Sequence, residues 1–156
     1  MENKLFEAAT VLNTKSKYHI MGLAAGGSIA YGLNTESSDI DLRGFALPTA
    51  SEILSLHDFE QQEFREDVDG VVYSLRKLVS LLLACNPNVI ELLGVRQEYI
   101  LVDSPIYVYL RNHKDWFVSR LAANTFGGYA TQQLRRIENS MNRENKDKVA
   151  ENAIRS

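Results

Sequence analysis

Two short stretches of this chain hold residue types that can do chemistry together. The first is Ala24-Ala25-Gly26-Gly27-Ser28, a run of small residues ending in a hydroxyl. Glycine lets backbone N–H groups approach an anion with no Cβ in the way. A helix that starts there adds the positive end of its dipole, and Ser28 adds an O–H donor. Such a turn can cradle phosphate, although Gly-Gly-Ser by itself is also a common plain loop. The second stretch is Asp39-Ile40-Asp41. Residues two apart on a strand point to one side, so a strand here puts both carboxylates on one face. Carboxylates that close repel each other in a dry setting, and both stay ionised beside a divalent cation. Magnesium takes few carboxylates and fills its shell with phosphate oxygens and water. The plain alternative for an isolated Asp-x-Asp is a solvated acidic strand face.

These groups need elements to position them. Leu5, Phe6, Ala9 and Leu12 recur at helical spacing, which predicts an amphipathic helix over residues 2–16. A strand over 18–23 follows, then the small-residue turn, a short helical piece over 29–32 and a polar loop over 34–38. Acid and apolar residues alternate from Asp39 to Phe45, the period of a strand, and Pro48 ends it. Residues 57–66 are polar and predict an exposed strand. Val68 to Tyr73 is β-branched and aromatic, the composition of a further strand. Ser74 stands where a helix cap belongs, before an apolar helix over 75–84. Asn86-Pro87-Asn88 stops that helix and starts another. A brief strand is expected over 99–102. From Ile106 onward the pattern is helical, with a break expected at Gly127-Gly128. This order predicts an α+β fold, with a core over 1–104 and a helical C-terminal extension over 105–156.

Composition removes several classes. At 156 residues the chain can bury one core without disulfides. Its single cysteine, Cys85, follows Leu81, Leu82, Leu83 and Ala84 and is expected to be buried and inert. A reducing cytoplasm is the expected location. Glu2 and Glu7 break up any signal segment, and no run nears the roughly 18 apolar residues that span a bilayer. No membrane partner is expected. The net charge of −3 means that nucleic acid would have to meet a local basic face. Arg135, Arg136, Arg143, Lys146 and Lys148 form a candidate, but Glu138, Glu144 and Asp147 interleave with them, so a solvated face is expected. His19, His57 and His113 lack zinc-site spacing and have no nucleophile beside them. Trp116 and Phe117 repeat with Leu110, Val118 and Leu121, which predicts core packing over base stacking.

Taken jointly, the glycine-serine turn after a strand and Asp-x-Asp about a dozen residues later resemble the signature of the DNA polymerase β nucleotidyltransferase superfamily. Further segments narrow the likeness: Gly27-Ser28-Ile29-Ala30-Tyr31-Gly32, Ser38-Asp39-Ile40-Asp41-Leu42-Arg43-Gly44, Tyr73-Ser74-Leu75-Arg76-Lys77, the run from Asn86 to Leu93, and Phe126-Gly127-Gly128-Tyr129-Ala130 with Gln133-Leu134. Over residues 18–137 the chain resembles a bacterial and phage branch of nucleotidyltransferases, some of which lie in RNA-repair operons beside RNA ligases. Lys148 to Arg155 resembles the start of a further helical part, with Asn152 where histidine is common, so the likeness implies a shortened member.

The resemblance implies a polymerase-β-like core that transfers a nucleotidyl group from a nucleoside triphosphate, ATP among the candidates. It places Gly27 and Ser28 on the β- and γ-phosphates. It places Asp39 and Asp41 on two Mg2+ (or Mn2+) ions, with a third acid from a neighbouring strand. Asp69 is the expected third acid, on one face with Val71 and Tyr73. Glu66 and Asp67 compete for the role, and Gly70 could bend the strand. Arg43 follows on the metal face and can pair with those acids or with a phosphate. Lys77, one turn into the next helix, can reach the triphosphate or sit on the surface. Glu91 suits the first turn of its helix and is expected to serve architecture. The implied acceptor is an RNA end. The alternatives are AMP transfer onto a protein partner, as in antitoxin-like relatives, and a decayed module that only binds nucleotide.

Overall fold

The computed structural model describes residues 2–33, 35, 38–54, 59–65 and 68–154, with side chains described at all of these except 2, 140 and 142–154. In chain order the elements are α1 (Glu2–Lys15), β1 (His19–Ala25), α2 (Gly27–Ala30), β2 (Asp41–Leu47), α3 (Ala50–Ile53), β3 (Gln61–Phe64) and β4 (Asp69–Ser74). Then come α4 (Leu75–Leu83), α5 (Pro87–Gly94), β5 (Ile100–Asp103), α6 (Pro105–Asn112) and α7 (Leu121–Ile154). Two 3₁₀ turns, Gln97–Tyr99 and Lys114–Phe117, flank β5 and α6.

The five strands form one sheet in the order β3-β4-β2-β1-β5. β1 runs antiparallel to both β2 and β5, β3 runs antiparallel to β4, and β2 and β4 are parallel. The fold is therefore α+β with an open mixed sheet, as the order of elements predicts. β2 alternates between two cores, which the period of a strand requires. Leu42 and Ala46 face α1 and join Leu5, Leu12, Ile20 and Val72 in the first core. Phe45 faces the other way, with Ala24, Leu78, Leu82, Val89, Leu92 and Tyr107 in the second. Asp41 and Arg43 share the side of Phe45. Gly70 does not bend β4, whose register with β2 is unbroken from Asp69 to Ser74. Its missing side chain instead admits α1: a Cβ there would lie 2.8 Å from Leu12.

Helix ends follow their local sequence. Ser74 Oγ accepts from Lys77 N–H, Asn86 caps α5 ahead of Pro87, and Ser104 caps α6 ahead of Pro105. Between α4 and α5 the buried Cys85 takes φ +50° while Asn86 N–H donates back to Leu81 O, which closes α4. The two helices bend by 105° there, and among the described residues no single helix is long and apolar enough to cross a membrane. α6 sends Tyr107 and Leu110 into the second core, and Tyr107 Oη donates to Leu92 O at 2.7 Å.

Three expectations are corrected. The strand expected from Asp39 begins at Asp41, although Ile40 still packs on the first core. α7 runs through Gly127-Gly128 without a break. Each glycine costs a helix only about 1 kcal/mol against alanine, and Thr125 Oγ1, donating to Cys85 O at 2.9 Å, anchors the helix just before them. The chain breaks instead at residues 113–120. Trp116 is 67% exposed, and its ring lies 4.2 Å from that of His113, which in turn neighbours Tyr109. The tight Lys114–Phe117 turn gives the inward place to Phe117, which packs on the second core. His57, Glu66 and Asp67 lie outside the described residues. So do the side chains of Arg143, Glu144, Lys146, Asp147, Lys148 and Asn152. Arg135, Arg136 and Glu138 are exposed.

Candidate active site

Strand directions decide what meets at one end of the sheet. Because β1 and β2 are antiparallel, the end of β1 lies beside the start of β2, and Ala25 pairs with Leu42. Gly26 N–H then donates to Asp41 O at 2.7 Å. Because β2 and β4 are parallel, their starts coincide, and Asp41 is the register partner of Asp69. Partners on adjacent strands project to one face at about 4.8 Å spacing. The Gly26-Gly27 turn, Asp41 and Asp69 thus stand in a row.

The turn and Asp41 touch closely. A Cβ on Gly26 would lie 3.0 Å from Asp41 Oδ2 and 3.4 Å from Arg43 Nε, so glycine is what lets these side chains lie against the backbone. Gly27 has φ +55°, a left-handed conformation that suits glycine. α2 is only four residues long, so little dipole gathers there, and an anion would rely on the turn's own N–H groups. Ser28 is half-buried at the second position of α2.

Arg43 completes this row. Its Nη2 donates to Asp41 Oδ2 at 3.0 Å, with the two side chains 24% and 28% exposed. Arg43 therefore pairs with an acid of the row. Its charge also acts on two phenols. Burial raises the pKa of the Tyr31 hydroxyl to about 12, helped by a hydrogen bond to the Glu91 carboxylate and by Tyr129, while Arg43 opposes the rise. Burial also raises the Tyr73 hydroxyl, with Arg43 and Lys77 opposing and Asp41 and Glu63 assisting.

Two other expected residues lie outside the paired strands. Asp39 is exposed in the irregular segment just before β2. Lys77 lies beyond the far end of β4, five residues on from Asp69, or roughly 16 Å at strand rise, plus the first turn of α4. Its Nζ donates to Glu60 at 2.9 Å. Among the described residues no three His, Cys, Asp or Glu side chains gather as a ready metal site. The donors still suit a hard divalent cation: Asp41 and Asp69 offer only oxygen, from one face, on paired strands. Arg43 meanwhile balances the charge of Asp41.

The sequence marks Gly26 as part of the Gly-Gly-Ser turn, but it does not mark Tyr31, Tyr73, Glu91 or Tyr129 as neighbours of that turn. The doublet of glycines was the signal for Gly26. For Glu91 and Tyr129 the pointer was only that their segments recur in the resemblance. Helix-dipole logic accounted for Glu91 locally and hid its partner.

A model of the RNA repair pathway DNA polymerase beta family (RlaP) matches residues 1–151. No curated protein matches the chain, and no solved structure does.

Proposed function

The chain belongs to the RNA repair pathway DNA polymerase beta family, and from that premise we propose that it moves a nucleoside monophosphate from a nucleoside triphosphate onto an acceptor hydroxyl at an RNA end. Membership implies a polymerase-beta-like nucleotidyltransferase of RNA repair. The metal, the donor and the acceptor are our reading. One observation carries it: an anion-compatible glycine turn and two strand-borne carboxylates sit side by side at one end of the sheet.

In this reading the N–H groups at Gly27 and Ser28, with the Ser28 hydroxyl, hold the β- and γ-phosphates. Asp41 and Asp69, with Asp39 from the segment before β2, would hold Mg2+ or Mn2+. A divalent cation bound there supplies electrostatic stabilisation of the phosphates and eases ionisation of the acceptor hydroxyl. The acceptor oxygen attacks the α-phosphorus, the bond to pyrophosphate breaks, and the hydroxyl proton passes to Asp69 or to water. Arg43 stands where it can follow the charge onto the phosphates. Lys77 has no part in this arrangement as it stands, because Glu60 holds it at the other end of β4.

The test uses the full chain, each labelled nucleoside triphosphate, Mg2+ or Mn2+, and RNA with a free end. Label is expected on the RNA. The double substitution Asp39→Ala with Asp41→Ala should abolish transfer while circular dichroism stays unchanged. A double variant that transfers as well as the parent refutes the mechanism. Label on a protein instead of RNA moves the acceptor to a protein hydroxyl.

A further inference from the structure

We infer that Arg43 is a stand-in cation that makes this site select a divalent metal arriving with a polyphosphate over the bare metal. The inference rests on the nucleotidyl-transfer reading above and deepens it. Its basis is the contact between Arg43 Nη2 and Asp41 Oδ2 at 3.0 Å, together with where that pair lies. Both side chains rest on Gly26, in the turn whose N–H groups are the candidate phosphate donors. The guanidinium is therefore beside the metal-ligating oxygen and beside the phosphate cradle at once.

Consider each way of loading the site. A bare divalent ion at Asp41, whether it binds Oδ1 or replaces Arg43 on Oδ2, draws on the same carboxylate charge as the guanidinium. That sets a second positive charge beside an arginine that is about three-quarters buried. A polyphosphate changes the balance. Its oxygens match the planar fork of arginine, so Arg43 exchanges one anion for another with little movement. Metal and nucleotide then favour each other's binding beyond their direct contact, and the coupling is reciprocal. Arg43 acts here as a positioning residue, because it sets which species Asp41 accepts.

The experiment titrates Mn2+ into the full chain and reads free Mn2+ by electron paramagnetic resonance, without and with a non-hydrolysable nucleoside triphosphate analogue. Wild type, Arg43→Gln and Arg43→Lys are compared. Arg43→Gln should bind bare Mn2+ more tightly, on the order of tenfold, and the Mn2+–nucleotide complex more weakly by a similar factor. A general loss of structure would weaken both, so the opposite signs are diagnostic. Arg43→Lys keeps the charge without the fork. It should hold bare-metal affinity near wild type and lose several-fold of the nucleotide coupling. The lysine variant decides the matter if the glutamine variant does not fold, and coupling equal to wild type then overturns the inference. Bare-metal affinity that is unchanged or weaker in Arg43→Gln also overturns it, and leaves the transfer reading intact if wild type binds the Mn2+–nucleotide complex. A wild-type chain that binds no Mn2+ even with the nucleotide removes both.

Discussion

Gly26-Gly27 and Gly127-Gly128 are the same dipeptide in opposite settings. In the first pair, a Cβ on Gly26 meets the Asp41 carboxylate at 3.0 Å and Gly27 has φ +55°. In the second, both residues are helical and exposed, and a Cβ on either would meet nothing within 4 Å. A tyrosine follows each pair, Tyr31 and Tyr129, and the two phenols influence each other. The difference teaches that glycine at the first pair is demanded by what it faces, whereas the second tolerates glycine at some cost to its helix.

Substitutions can break or sharpen that contrast. The largest effect is expected from Gly26→Val. The added side chain must displace Asp41 and Arg43, and misplacing reacting groups by about 1 Å costs on the order of a hundredfold in rate. Nucleotidyl transfer should fall by that factor while denaturant unfolding shows a folded chain. Transfer at the parental rate would show that the contact with Asp41 is incidental. Next comes Gly27→Ala, where a side chain at positive φ costs roughly 1 kcal/mol or more. The urea midpoint should drop accordingly. Gly128→Ala should move the midpoint the other way, by about 0.5–1 kcal/mol, since alanine is the better helix former. A loss of stability there would mean that something packs on this surface, and the contrast between the pairs would dissolve.

The smallest expected effect concerns the phenol between the pairs. The folded-state pKa of Tyr31, about 12, lies above its ordinary value of 10.0. Its share of stability is therefore complete below pH 10 and is lost as pH rises from 10 through 12. The melting temperature should fall across that window, and fall less steeply for Tyr31→Phe. The slope will not vanish, because Tyr18, Tyr73 and Tyr107 are raised as well.

What the sequence disclosed was mostly local. Ser74, Asn86-Pro87 and the alternation after Asp39 mark their elements through caps, fixed φ and period, which need no distant partner. Asp69 was legible as a strand-borne acid for the same reason, and the parallel register sets it against Asp41. Arg43 could be placed on the face of Asp41 but not assigned a partner, since alternation gives direction and not distance. Tyr31 meets Glu91 only once α5 has packed, and nothing in their own neighbourhoods announces it. Gly127-Gly128 misled because a propensity cost of this size yields to tertiary anchoring at Thr125. Trp116 misled because a 3₁₀ turn has a different period from the α-helix assumed for it.

The parallel pairing of β2 with β4 also bears on how the protein comes to be made. Asp41 and Asp69 are 28 positions apart (69 minus 41), and the chain between them must travel out to the sheet's edge through β3 and return before they can align. Non-local closures of this kind tend to come late in folding. A nascent or half-folded chain would then carry every acidic residue but no assembled row of them, and competence for transfer would arrive only with the finished sheet.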